Sequence, residues 1–171
     1  MTDSGDQQPA AFSVPWFLRL LCYLTIFGST YFMFSAISGL FSPEEVSKTM
    51  DQAMQSWMTI FEPALKSDPK AEKDFEAILE DISFANSVSN IRDYSFFSLV
   101  ANGLTMIGAF LMLRLRKNGF RLYLLGTLIG IISPLLVFGS DNFLGFSYAF
   151  MGAIMGILFG ILYALKMKHM H

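Results

Sequence analysis

The chain reads as an all-α, polytopic membrane protein: four transmembrane helices, with an amphipathic helical hairpin between the first and second. Three observations predict this. Hydrophobic residues fill 53% of the 171 positions and charged residues only 15%, against about 25% charged in an average soluble domain. The apolar residues collect in four stretches, residues 16–41, 94–113, 122–138 and 143–165, each close to the ~20 residues that a helix needs to cross a hydrocarbon core. The remaining polar region of any size, residues 42–93, has apolar side chains at helical spacing.

Residues 1–15 form a polar tail with Asp3 and Asp6. The first span, 16–41, contains one charge, Arg19, near its start, and is apolar on every side, as lipid contact requires. Ala36 and Ser38 have the spacing of a signal-peptidase site, but the apolar run before them is long for a signal core and no Lys or Arg precedes Arg19. The first span is therefore expected to stay. The single cysteine, Cys22, lies inside it. An intramolecular disulfide and a cysteine-based metal cluster are excluded, and with no basic neighbour to activate the thiol, Cys22 is expected to be buried.

In residues 42–93, Ser42, Pro43 and Glu45 spell a helix start: a capping residue, a proline at the first helical position and an acid three after the cap. Val46, Met50, Met54, Trp57 and Phe61 follow on one stripe. Asp68 and Pro69 repeat the start, and Ala71, Phe75, Ile78 or Leu79, and Ile82 share a second stripe. About 50 residues cannot bury two such stripes as an independent domain, so each must find cover from the other helix, the membrane surface or a partner; packing on each other is the leading expectation, with Met50, Met54, Trp57 and Phe75 as the residues a partner would meet. Glu72, Asp74, Glu76, Glu80 and Asp81 interleave with Lys70 and Lys73 opposite the stripe, the pattern of a solvated face. No histidine joins them and no calcium-loop spacing occurs, so no metal site is predicted.

The second span, 94–113, contains Asn102, expected to hydrogen-bond to another helix. Residues 114–121, "RLRKNGFR", carry Arg114, Arg116, Lys117 and Arg121 and no acid. Clustered bases mark the cytoplasmic side, and with four spans that places both termini inside. Seven bases (Arg19, the four in this loop, Lys166 and Lys168) then lie inside with Asp3 and Asp6, while the other five bases lie outside with twelve acids. Arg114, Arg116, Lys117 and Arg121 set topology and touch lipid headgroups on this reading; nucleic acid is not a predicted partner.

Pro134 interrupts the third span, 122–138, and Ser133 is placed to cover the carbonyl it frees. Residues 139–142 form a short outer turn, with Asp141 expected to cap the fourth span, 143–165. The tail, 166–171, ends in His169 and His171, too few to complete a zinc site. Gly126 and Gly130 form one small-residue pair, and Gly152, Gly156 and Gly160 form a row with the same spacing of four. Such rows let helix backbones approach where the hydrophobic effect offers no drive, and the hairpin of spans three and four makes each row the natural mate of the other.

The turn containing Lys117, Gly119, Phe120, Leu122 and Tyr123, with the short basic tail from Tyr163 to Met170, resembles a set of small four-span bacterial inner-membrane proteins. That resemblance implies a four-helix membrane fold in a bacterial inner membrane and carries no activity or site residue. With no catalytic constellation and no cofactor motif in the sequence, the leading expectation is a non-catalytic accessory or assembly subunit that contacts a membrane-protein partner or a second copy. A small homo-oligomeric channel or transporter, with Asn102, Ser133 and Pro134 near its path, is the alternative.

Overall fold

The structure is a computed structural model that describes residues 15–65 and 69–166. These residues form α1 (Trp16–Phe41), α2 (Pro43–Leu65), α3 (Pro69–Ala85), α4 (Val88–Leu113), α5 (Lys117–Phe138) and α6 (Phe143–Ala164). Among them the structure is all-α. Helices α1, α4, α5 and α6 are each long and apolar enough to cross a membrane, the architecture of a multi-pass membrane protein.

The distribution of side chains fits a lipid surround. Phe27, Phe41 and Leu136 are 79%, 83% and 71% exposed, while Ser29, Ser95, Thr105 and Ser133 are buried. Large apolar groups thus face outward and small or hydroxyl-bearing ones face the helix contacts, where close backbone approach replaces the hydrophobic effect as the source of packing energy.

The most extensive contact is α4 with α5, followed by α1 with α4 and α5 with α6. A Cβ built on Gly108 would lie 2.7 Å from the Gly119 carbonyl oxygen and from the Tyr123 nitrogen; one on Gly126 would lie 2.6 Å from the Ala101 carbonyl oxygen and 2.9 Å from the Thr105 nitrogen. These are backbone obstacles that no rotamer change relieves. Gly126 therefore faces α4, which corrects the expectation that its row mates with the fourth span. Gly130 meets the Ala101 Cβ at the looser distance of 3.7 Å. Across the α5–α6 contact, Gly156 admits the Thr127 methyl group, while Gly152 and Gly160 have only ordinary contacts, 3.6 Å to Ile131 and 3.8 Å to Leu124.

Helices α4 and α5 are joined by three residues. Leu115 N donates to the Met112 carbonyl oxygen at 2.9 Å and Arg116 N to that of Leu111 at 3.0 Å, the paired bonds of a left-handed helix terminus. The left-handed position, usually glycine, is Leu115 at φ 58°. Its side chain is buried in the core formed with Leu18, Leu21, Cys22, Met112, Tyr123 and Tyr163. The lysine and arginines of this loop lie around it on the surface: Arg114, Arg116, Lys117 and Arg121 are all exposed, with Lys117 and Arg121 on the first turns of α5. Arg19 and Lys166 occupy the same end, the latter with Nζ 5.5 Å from the Phe17 ring centroid. One end of the bundle is thereby ringed with positive charge.

Asn102 departs from expectation. Its amide nitrogen donates to the Ser98 carbonyl oxygen at 2.8 Å and to Ser98 Oγ at 3.2 Å, both within α4. The hydroxyl pairs Ser29 with Thr105 and Thr25 with Tyr163, each at 2.8 Å, cross between helices instead. Ser133 Oγ does donate to the Gly130 carbonyl oxygen, at 3.5 Å; this is the acceptor that Pro134, lacking an N–H, leaves free.

Candidate functional site

At the other end of the bundle the amphipathic helices are bound to the spans by two polar clasps. Asn142, not Asp141, caps α6: its Oδ1 accepts from Leu144 N at 3.0 Å and Gly145 N at 3.2 Å. Phe143 N, the next orphan donor of that helix, donates to Asp81 Oδ2 at 2.7 Å, and Asn142 Nδ2 donates to the Asp81 carbonyl oxygen at 3.0 Å. Asp81 thus leaves the solvated acidic face predicted for it and serves the positive end of a neighbouring helix, where a carboxylate is stabilised. Asp74, Glu76 and Glu80 remain exposed.

The second clasp centres on Asn86, in the turn between α3 and α4. Its Nδ2 donates to the Ser47 carbonyl oxygen at 3.1 Å and to Asp51 Oδ1, and its backbone carbonyl oxygen accepts from Ser47 Oγ at 2.9 Å. Ser87 then accepts from Asn90 N and starts α4 at Val88, six residues before the apolar span begins. Polar Arg92 and Asp93 hide this turn of helix from a hydropathy reading.

Between these clasps lies a cavity of about 210 Å³. Ala36 and Gly39 of α1 and Ile91, Tyr94 and Ser95 of α4 form its floor and back; Val46 and Ile82 bring α2 and α3 over it; Leu144 and Tyr148 of α6 bound the far side. Helix α1 reaches α4 closely here because a Cβ at Gly39 would collide with Ser95 Oγ. Tyr94, Phe138 and Tyr148 gather into an aromatic cluster, with Tyr94 and Tyr148 stacked at 5.8 Å and Tyr94 and Phe138 at 5.1 Å. Where α1 and α6 touch, Thr25 meets Tyr163 near the basic end; at the clasped end the cavity lies between them. Its lining residues Phe32, Met50 and Tyr148 are 55%, 46% and 43% exposed and mark its mouth.

The walls are mostly apolar, with Ser35, Ser95, Ser98 and Asn86 among the lining residues. Asn86 is 5% exposed and lines the cavity. Among the described residues, its Oδ1 is the buried side-chain oxygen or nitrogen without a hydrogen-bond partner. Rotating the amide to exchange its atoms would set Oδ1 against two acceptors, so the bonds of Nδ2 fix where the oxygen points.

Of the residues the sequence singled out, Met50 joins the cavity wall, Met54 and Phe75 are half-buried, and Trp57 is 59% exposed. Arg114, Arg116, Lys117 and Arg121 gather at the opposite end of the bundle. Gly126 and Gly130 line α4; Gly152, Gly156 and Gly160 line α5. Asp68, Lys168, His169 and His171 lie outside the described residues. Asn86, Ser95, Tyr94 and Tyr148 were not candidates from sequence; the "SFANS" stretch reads as an ordinary turn, and only the fold brings six helices around the cavity it borders. Among the described residues no group of three metal-ligating side chains comes together. Comparison of the chain with protein-family models, curated proteins and solved structures returns no match.

Proposed function

We propose that the protein is a non-catalytic accessory or assembly subunit of a bacterial inner-membrane complex. Both termini are cytoplasmic on this reading, and α2 and α3 stand outside as the contact for an envelope protein. The observation that carries it is on the distal half of α2, where Trp57 and Ile60 are 59% and 67% exposed. Two large apolar side chains three residues apart share one face of the helix and favour an apolar groove on a partner. Asn102 and Ser133 bond within their own helices, which lends the channel or transporter alternative little support.

Two measurements test this. Cys22 is fully buried, so a cysteine introduced at Ser83 should be the group that an impermeant maleimide labels on intact cells; protection until lysis would reverse the topology. A photocrosslinking residue at Ile60 should capture one discrete protein, and Trp57→Asp should abolish that product while membrane insertion persists. Crosslinking to lipid alone would refute the accessory-subunit reading.

A further inference from the structure

We infer that the outward face of α1 is the interface of a homodimer, in which the α1 helices of two copies lie side by side in the membrane and their Tyr31 hydroxyls meet across the two-fold axis. Trp16, Leu20, Tyr23, Phe27, Tyr31 and Phe34 follow one another at spacings of three and four, so they share one face of the helix. All are exposed, Tyr23, Phe27 and Tyr31 by 60%, 79% and 68%. The buried residues Leu18, Cys22, Ser29 and Ala36 take the opposite side of α1, so the stripe points away from the rest of the bundle. This surface is separate from the distal half of α2, on which the accessory-subunit reading rests.

What sets this face apart from a plain lipid-facing surface is the hydroxyl of Tyr31. In a helix that runs from Trp16 to Phe41, Tyr31 lies about 4 Å beyond the middle at 1.5 Å per residue, and its side chain leans back toward the N-terminus, which carries the oxygen nearer to the middle. That depth is out of reach of the headgroups of either leaflet. Within the chain the ring meets Phe32 edge-on at 5.6 Å, and the hydroxyl has no hydrogen-bond partner among the described residues. A hydroxyl left unpaired in hydrocarbon is costly. The exposed positions at the same depth on the other spans, Val100 of α4, Leu128 of α5 and Ile154 of α6, carry no donor or acceptor, so a second copy presenting any of those faces leaves the hydroxyl unpaired. The α1 face is its own complement. Two copies inserted in the same orientation are related by an axis along the membrane normal, which sets Tyr31 against Tyr31 at equal depth, and a phenol both donates and accepts. Phe27 and Phe34 then meet their own counterparts, and such aromatic pairs add contact energy.

The test uses the full chain, first in the membranes of the cells that express it. The native Cys22 is fully buried and does not compete, so Phe27→Cys and Phe34→Cys should each give a disulfide-linked product of twice the chain's mass on oxidation. Ile107→Cys and Leu128→Cys, exposed on α4 and α5, should not. The purified chain is then reconstituted in phosphatidylcholine liposomes, and energy transfer between donor- and acceptor-labelled copies is followed as lipid is added. Tyr31→Phe keeps the ring and removes the hydroxyl, and should raise the dimer dissociation constant about fivefold, the factor expected from one hydrogen bond between helices in a membrane. Tyr23→Phe should raise it less than about twofold, because Tyr23 lies nearer the N-terminal end of α1 and its side chain leans toward that interface. All the altered side chains are exposed, so folding is expected to persist in every variant. Equal crosslinking at Phe27→Cys and Ile107→Cys, disulfides to a protein of another mass, or no energy transfer at any dilution would each overturn the homodimer. A Tyr31→Phe chain that dimerises as tightly as its parent would overturn the assignment equally, since the hydroxyl would then not select the partner.

Discussion

At the basic end, α1, α4, α5 and α6 close on a core in which Leu18, Cys22, Met112 and Tyr163 have no exposed surface. At the clasped end, α1 and α6 stand apart around a cavity of about 210 Å³, and the links across it are polar, through Asn86 and Asp81. The same four helices thus make a solid joint at one end and an open one at the other. In lipid, apolar burial gains little, so rigidity comes from close contact. The dense end has that contact and is suited to hold the helices in register. The open end, short of it, can admit another molecule.

The largest effect that tests this contrast is expected from Tyr163→Ala. The ring packs edge-on to Tyr123 at 5.0 Å, and the side chain is fully buried. Its loss should destabilise the fold by about 3 kcal/mol through the cavity left behind, read as a shift of the denaturation midpoint in an SDS titration. Ile82→Ala at the open end should cost distinctly less, because its site already borders empty space. Equal losses would mean that the two ends are packed alike.

Gly126→Ala is next in size. The added methyl meets the backbone of α4 at Ala101 and Thr105, and separating two helices to admit it should cost about 1–3 kcal/mol. Gly160→Ala meets only a leucine methyl at 3.8 Å and should be neutral or slightly stabilising, since alanine is the better helix former. The four-residue glycine spacing that is prominent in the sequence does not by itself locate the tight contact; if both substitutions cost the same, the contrast between these positions is wrong.

What the sequence made legible follows from this physics. Four spans could be read because their side chains are apolar on all faces, a property of each stretch alone. The closest seam was harder, since Gly119, Gly126 and Ser133 recur every seven residues, while a search for glycines four apart draws the eye to Gly152, Gly156 and Gly160. Gly108 has no glycine four residues away in its own helix and acquires its role only against Gly119. The cavity could not be read at all, because its walls come from six helices and the asparagine on its lining, Asn86, is held by Ser47 and Asp51, more than thirty residues away along the chain.

The smallest expected effect concerns how the dense end is sealed. Leu115 occupies a left-handed position, φ 58°, that costs a side-chain-bearing residue about 1–2 kcal/mol, yet its burial beside Leu18 and Met112 offsets that strain. Leu115→Ala loses the packing and keeps the strain; Leu115→Gly loses the same packing and releases it. The glycine variant should therefore be the more stable of the two by about 1 kcal/mol, the reverse of their order inside a helix. Thermal unfolding in detergent micelles would resolve that difference. An alanine variant more stable than the glycine one would mean that the turn between α4 and α5 does not adopt the left-handed geometry, and that Leu115 reaches the core by another route.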